Sequence, residues 1–348
     1  MYQATRTVLG GILLTAVAAC SGGGGSGDSG PSLVEITSAN AKTIAGAVLV
    51  SSLEGGDLSG LSPTEIAGSG EAAKPAASLS TAKASAVQPS AAKLSTAKVY
   101  AKVQSLEGAE ADALIDQSRS GDLQAAVGPE STACMAGGTV TLSGNLSNLV
   151  TLTVGDTLTL DFANCDDGTS VIDGAFSMKI TSLSGDLTSG MFVLGVDVTV
   201  TALRITENGE TVTANGSISF VTDSTQSPIV TTTVTANTLT VTGAGATNTL
   251  RDFSSTEVVD SVTTEYSLSS HGTLTSTAFS GSVTFETNAS FQGTGDDHPV
   301  SGEIVITGAK GGSIDLVVLD GVSVRLNLDL NGDGQIDETS DATWDELT

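Results

Sequence analysis

The segment Val196-Asp197-Val198-Thr199-Val200 alternates apolar and polar side chains without a break. The same two-residue period runs through Leu158, Leu160 and Phe162, and again through Phe176, Met178 and Ile180. A period of two places every second side chain on one face of an extended chain, which is the signature of a half-buried β-strand. From Gly137 to Leu347 such runs follow one another, interrupted by turn residues, and no helical period of comparable length competes with them. This predicts a mainly β fold: a large antiparallel meander, as a curved sheet, an open barrel or a sandwich, with one or two N-terminal helices packed on it. Ten to fourteen strands are expected.

Two hairpins are signalled by turn chemistry. Asn208-Gly209 lies between Ile205 and Val212, and Asp320-Gly321 separates two apolar runs. Asn-Gly and Asp-Gly readily supply the positive φ angles of a type I′ turn, whose twist matches that of the flanking strands. After Cys134 only Pro228 and Pro299 occur, both in expected loops, so strand interiors keep their amide donors.

The composition narrows the partners. The chain of 348 residues carries a net charge of −26, and from Cys134 onward 27 acids face 5 bases. Nucleic acid is disfavoured, because phosphate binding needs clustered Lys and Arg. Aromatics make up only 3% of the residues, too few for the aromatic girdles of a transmembrane barrel. The charge keeps a strand-rich chain soluble and discourages pairing at sheet edges.

The N-terminus reads as a targeting segment. Residues 1–19 contain Arg6 and a short apolar run from Val8 to Ala19, too short to span a bilayer. The run ends in Val17-Ala18-Ala19-Cys20, which resembles the bacterial lipoprotein signal. That resemblance implies lipidation of Cys20 and attachment to a membrane through the acyl chains. With Ser21 following, it implies the outer membrane. Residues 20–32 form a Gly/Ser tether, long enough as a coil to reach about 20 Å. Residues 33–136 read as a helical and low-complexity region, and 137–348 as the antiparallel β domain. Within the former, Ala41, Ile44, Ala45, Val48 and Leu49 share one helical face, with Ser38 as expected N-cap. A repeated Leu-Ser-Thr-Ala-Lys at 79–83 and 94–98 marks a low-complexity insertion, and 94–117 carries weaker helical spacing.

Once Cys20 is lipidated, Cys134 and Cys165 remain as a pair in an exported chain, which predicts a disulfide. Cys134 precedes one strand and Cys165 ends another; antiparallel pairing of the two would bring the sulfurs together.

No nucleophile elbow, phosphate loop or His-Glu-x-x-His motif is present, and His271 and His298 lie in turn-like contexts. A non-catalytic protein is expected. The metal-like signal is Asp329-Leu330-Asn331-Gly332-Asp333-Gly334-Gln335-Ile336-Asp337. Side-chain oxygens at Asp329, Asn331, Asp333 and Asp337, with the carbonyl of Gln335, suit Ca²⁺, and the glycines permit the turn. Ser340 stands where an EF-hand has its bidentate Glu, so the match is to an Asp-rich loop between strands. A polar hairpin loop is the alternative. Trp344 is expected to lie beside this loop and to report on it.

Several segments together resemble a group of proteobacterial outer-membrane lipoproteins of unknown function. They are Gly281–Thr287, Ser301–Ala309, the Asp-rich loop followed by Thr343-Trp344-Asp345-Glu346-Leu347, Phe162–Cys165 and Asn40-Ala41. No activity comes with the resemblance. Two functions are expected from this: a lipid-anchored envelope protein with a structural or interaction role, or a binding module enclosing an apolar ligand in a curved sheet. The partner is then a protein or an apolar small molecule.

Overall fold

The computed structural model describes residues 32–57, 127–147, 152–243, 245–295 and 297–347. Cys20, tether residues 21–31, the low-complexity segment and the expected helical spacing at 94–117 lie outside the described residues. Fourteen strands form one antiparallel sheet in which each strand pairs with its neighbours in sequence, from β1 to β14 without a crossover. The sheet is an open meander. Short strands β1 (Val127–Ala133), β2 (Gly137–Asn145) and β3 (Thr157–Asp166) lead into five long ones. These are β4 (Ser170–Asp186), β5 (Met191–Glu207), β6 (Glu210–Gln226), β7 (Ile229–Gly243) and β8 (Ala246–Asp260). Then follow β9 (Glu265–Ser276), β10 (Gly281–Thr294), β11 (Ser301–Thr307), β12 (Ser313–Val318), β13 (Ser323–Asp329) and β14 (Glu338–Thr343). The sheet starts at Val127, ahead of the expected start at Gly137.

Alternation does what its period requires. In β12, Ile314, Leu316 and Val318 are buried while Ser313, Asp315 and Val317 face outward. The outer face is a lattice of hydroxyls. Cross-strand partners such as Thr240 and Thr249 (3.0 Å), or Thr242 and Thr247 (2.9 Å), hydrogen-bond through their side chains. Such pairs each add a few tenths of a kcal/mol to a ladder.

A row of irregularities crosses the sheet at nearly one level. Asn164 in β3, Ala202 in β5 and Asp252 in β8 all sit at φ +48°. The register shifts at each of them. Each is a bulge, an extra residue that bends the strand. Freed amides find side chains: Asn164 N–H donates to Asp173 (3.3 Å) and Ala202 N–H to Asn215 (3.2 Å). Glycines face the bulges, Gly138 against Asn164 and Gly174 against Ala202, where a Cβ would strike backbone atoms. The row bends the sheet about one line.

Helix α1 (Ala41–Asp57) packs on β7, β8, β9 and β12 and on the short C-terminal helix α2 (Trp344–Leu347). From Ile44 to Leu53 no residue of α1 is exposed. A helix apolar on nearly every side is what such enclosure needs. Gly46 permits the contact with α2, since a Cβ there would collide with the Leu347 carbonyl. Ser38 is not the cap: its hydroxyl donates to Glu338 (2.8 Å), and Asn40 instead folds the preceding turn by accepting from Thr37 N–H (2.8 Å). Residues ahead of α1 bond across the sheet end, Val34 N–H to Ser282 O (2.8 Å) and Ala309 N–H to Val34 O (2.7 Å).

The Asn208-Gly209 hairpin adopts φ +52° and +83°, as its residues favour. The Asp320-Gly321 turn differs. Gly321 does not take a positive φ. The Asp320 carboxylate folds the loop instead, accepting from Val322 N–H (2.9 Å), Ser323 N–H (2.8 Å) and the Ser323 hydroxyl (2.9 Å). Side-chain capping by Asp replaces the mirror-image turn, as Asx-turn chemistry allows.

Candidate functional site

In a meander, alternate connections share an end. The cysteine end carries the β1–β2 turn with Cys134, the β3–β4 turn, the β11–β12 turn and the Asp-rich loop between β13 and β14. The opposite, tryptophan end carries the β8–β9, β10–β11 and β12–β13 loops and α2.

Cys134 and Cys165 are bonded, with Cα atoms 5.4 Å apart, within the usual range for a disulfide. They meet because β2 pairs antiparallel with β3, setting Gly137 opposite Asp166.

The Asp-rich loop is organised by its own amides. Asp329 is largely buried and accepts from Gly332 N–H (2.7 Å), Gly334 N–H (2.7 Å) and Asn331 N–H (3.3 Å). Burial alone would raise its pKa, but the amides of Gly334, Gly332, Asn331 and Asp333 outweigh burial and hold the carboxyl below its ordinary value. Asp337 accepts from Leu330 N–H (2.8 Å) and the Asn331 side-chain amide (3.3 Å), Asn331 from Asp333 N–H (2.9 Å), and Asp333 from Gln335 N–H (2.8 Å). The expected donors are therefore all on one turn, and the side-chain oxygens of Asp329, Asn331, Asp333 and Asp337 are each engaged by amides of the loop. Among the described residues no three His, Cys, Asp or Glu side chains gather closely enough to hold a metal ion.

Trp344 does not adjoin this loop. It sits beyond the far end of β14, whose six residues span about 20 Å. There its ring is buried and stacks on His298, centroids 5.2 Å apart at 12°. A lone Trp after an Asp-rich loop looked local to it; a whole strand intervenes.

His271 borders a shallow outer groove of about 330 Å³, with Asp252, Gly272, Thr273, Phe285 and Glu286. The groove marks the bulge at Asp252 and a break in the β9–β10 ladder, which pairs at Val283 with Leu274 and resumes only at Phe291 with Leu268. Across the break, Thr287 bridges both backbone groups of Ser270, accepting from its N–H (2.9 Å) and donating to its carbonyl (3.0 Å).

Asp315, on the outer face of β12, was not singled out by sequence. Burial and the nearby Glu303 carboxylate raise its pKa, partly offset by a hydrogen bond from Asn327. One of its oxygens is buried without a partner. The folded state thus holds this proton more tightly than the unfolded chain. The charged form costs stability at neutral pH, and the cost fades as pH falls through the folded pKa. Asp315→Asn is expected to raise the melting temperature at pH 7 by about one degree, solvent screening of this partly exposed group keeping the effect small. Thermal melts at pH 7 and pH 3 check this, because the gain should vanish at pH 3.

Comparison with protein-family models, with curated proteins and with solved structures finds no match.

Proposed function

We propose that the chain is a lipid-anchored β protein of the cell envelope, held in the outer membrane through Cys20, with a structural or interaction role rather than a catalytic one. The observation that carries this reading is Val17-Ala18-Ala19-Cys20 followed by a Gly/Ser tether. The Cys134–Cys165 disulfide supports it, since such bonds persist in oxidising compartments outside the cytosol. Between the two functions read from the sequence, packing favours the structural or interaction one over the apolar-ligand carrier. Ile304, Ile306, Ile314, Leu316, Val324 and Leu326 fill the inner face of β11–β13 and are completely buried. Cys20→Ser should leave unprocessed or soluble protein. Detergent phase partitioning unchanged by the substitution would refute the anchor.

The spacing of Asp329, Asn331, Asp333, Gln335 and Asp337 supports a weak Ca²⁺ site as a second, separable reading. The donors are all hard oxygens, which Ca²⁺ prefers. With Ser340 in place of the bidentate Glu, such a site should be weak, on the order of 10⁻⁴–10⁻³ M, and a cation on Asp337 would also have to displace the Asn331 side-chain amide. At a tenfold excess over the dissociation constant, stabilisation should be about 1.4 kcal/mol. The expected result is a higher melting temperature and measurable calorimetric heat with millimolar Ca²⁺, both lost in Asp333→Ala. Trp344 emission, at the other end of β14, should stay constant. An unchanged melt with no heat leaves the polar hairpin loop.

A further inference from the structure

We propose that the tryptophan end of the sheet carries a docking patch for a protein segment that is apolar at its centre and basic at its edges. The inference rests on the interaction role proposed above and names the surface that performs it.

Three segments converge there. Val300 in the β10–β11 loop stands 3.6 Å from the Cβ position of Gly321 in the β12–β13 loop, so the two loops touch. Trp344 at the start of α2 donates its backbone N–H to Val322 O (3.2 Å) and its indole N–H to Asp320 O (3.4 Å). His298 stacks on the same indole. Over this buried ring the apolar side chains of Val322 (68% exposed), Val300 (57%) and Leu319 (42%) face solvent together. Apolar side chains scattered singly over a surface need no explanation, but several brought together over a rigid aromatic support mark an interaction site.

Charge specifies the partner. Asp297, Asp320 and Asp345 are exposed around the apolar centre. The three segments, Asp297–Val300, Leu319–Val322 and Trp344–Leu347, contain no Lys or Arg. Such a rim repels a second copy of this acidic chain and an anionic lipid surface, and it attracts Lys and Arg. The β12–β13 loop is held by its own hydrogen bonds, so little conformational freedom is lost there on binding.

The test uses residues 20–348 carrying Cys20→Ser, so that its outcome is independent of lipid attachment. The probes are two twelve-residue peptides, one alternating Leu and Lys, the other Leu and Glu. Trp344, the single tryptophan, lies beneath the patch and supplies the readout, with calorimetry as a second measure. The basic peptide should bind with a dissociation constant on the order of 10–100 µM, and the acidic one at least tenfold more weakly; charge pairs of this kind steer and select partners. Val300→Ser with Val322→Ser, which removes apolar surface without adding charge, should weaken the basic peptide at least tenfold. Val154→Ser, at an exposed position in the β2–β3 connection of the same end, should leave it unchanged. The proposal is overturned by equal binding of the two peptides, by no binding of either, or by equal loss in the Val154 variant. Sedimentation with zwitterionic vesicles, or self-association abolished by the double variant, would also overturn it by assigning the patch to lipid or to a second copy.

Discussion

Reduction of the Cys134–Cys165 bond is expected to lower the stability of the sheet by about 3–4 kcal/mol. The two cysteines are 31 residues apart in sequence. A closed loop of that length removes this much conformational free energy from the unfolded chain, on the loop-closure account. In a domain of this size the melting temperature should fall by roughly 6–15 °C. The loss should also be local in character. The bond fastens the β1–β2 turn to β3, next to β1, which among the described residues pairs on one side only. Amide exchange in β1 and β2 should therefore accelerate before exchange in β11–β13. Mass spectrometry of the native exported protein should find both residues in one cross-linked peptide. Two alkylatable thiols in that protein would be incompatible with the structure.

Replacement of Gly174 should be strongly damaging to the row of bulges. Its φ of +104° is one that L side chains rarely adopt, and an added Cβ would lie 2.8 Å from the Leu203 Cα and closer still to the Ala202 carbonyl oxygen. Both obstacles are backbone, so neither can rotate aside. Gly174→Ala is expected to cost about 2–4 kcal/mol, combining backbone strain with overpacking. Gly155→Ala provides the control. Gly155 has a similar φ of +98° but nothing within 4 Å of its Cβ position, so only the conformational part remains, about 1–2 kcal/mol. Urea unfolding of both variants checks the difference. Equal losses would mean that the close approach of β4 to the Ala202 bulge contributes nothing.

Local residue order decided which face of each strand is buried, because the two-residue period is local and any antiparallel partner satisfies it. It determined the antiparallel meander for a related reason: with connections this short, consecutive strands have no way to pair except with each other. Even the disulfide followed, since one antiparallel pairing brings Cys134 and Cys165 to the same end. Tertiary structure decided what depends on contacts distant in the chain. The bulges at Asn164 and Ala202 are matched by Gly138 and Gly174 on neighbouring strands, and no local pattern marks these bulges or the one at Asp252. Ser38 could have capped α1, but Glu338, 300 residues away, took its hydroxyl. Trp344 was legible as a residue near the Asp-rich loop in sequence. Its place was fixed by the length of β14, which carries it to the other end of the sheet, onto His298 and under the side chains of Val300 and Val322. A strand's period sets the face on which a side chain stands, whereas the end of the sheet it reaches, and what it meets there, depend on where the strand stops and which loops fold beside it.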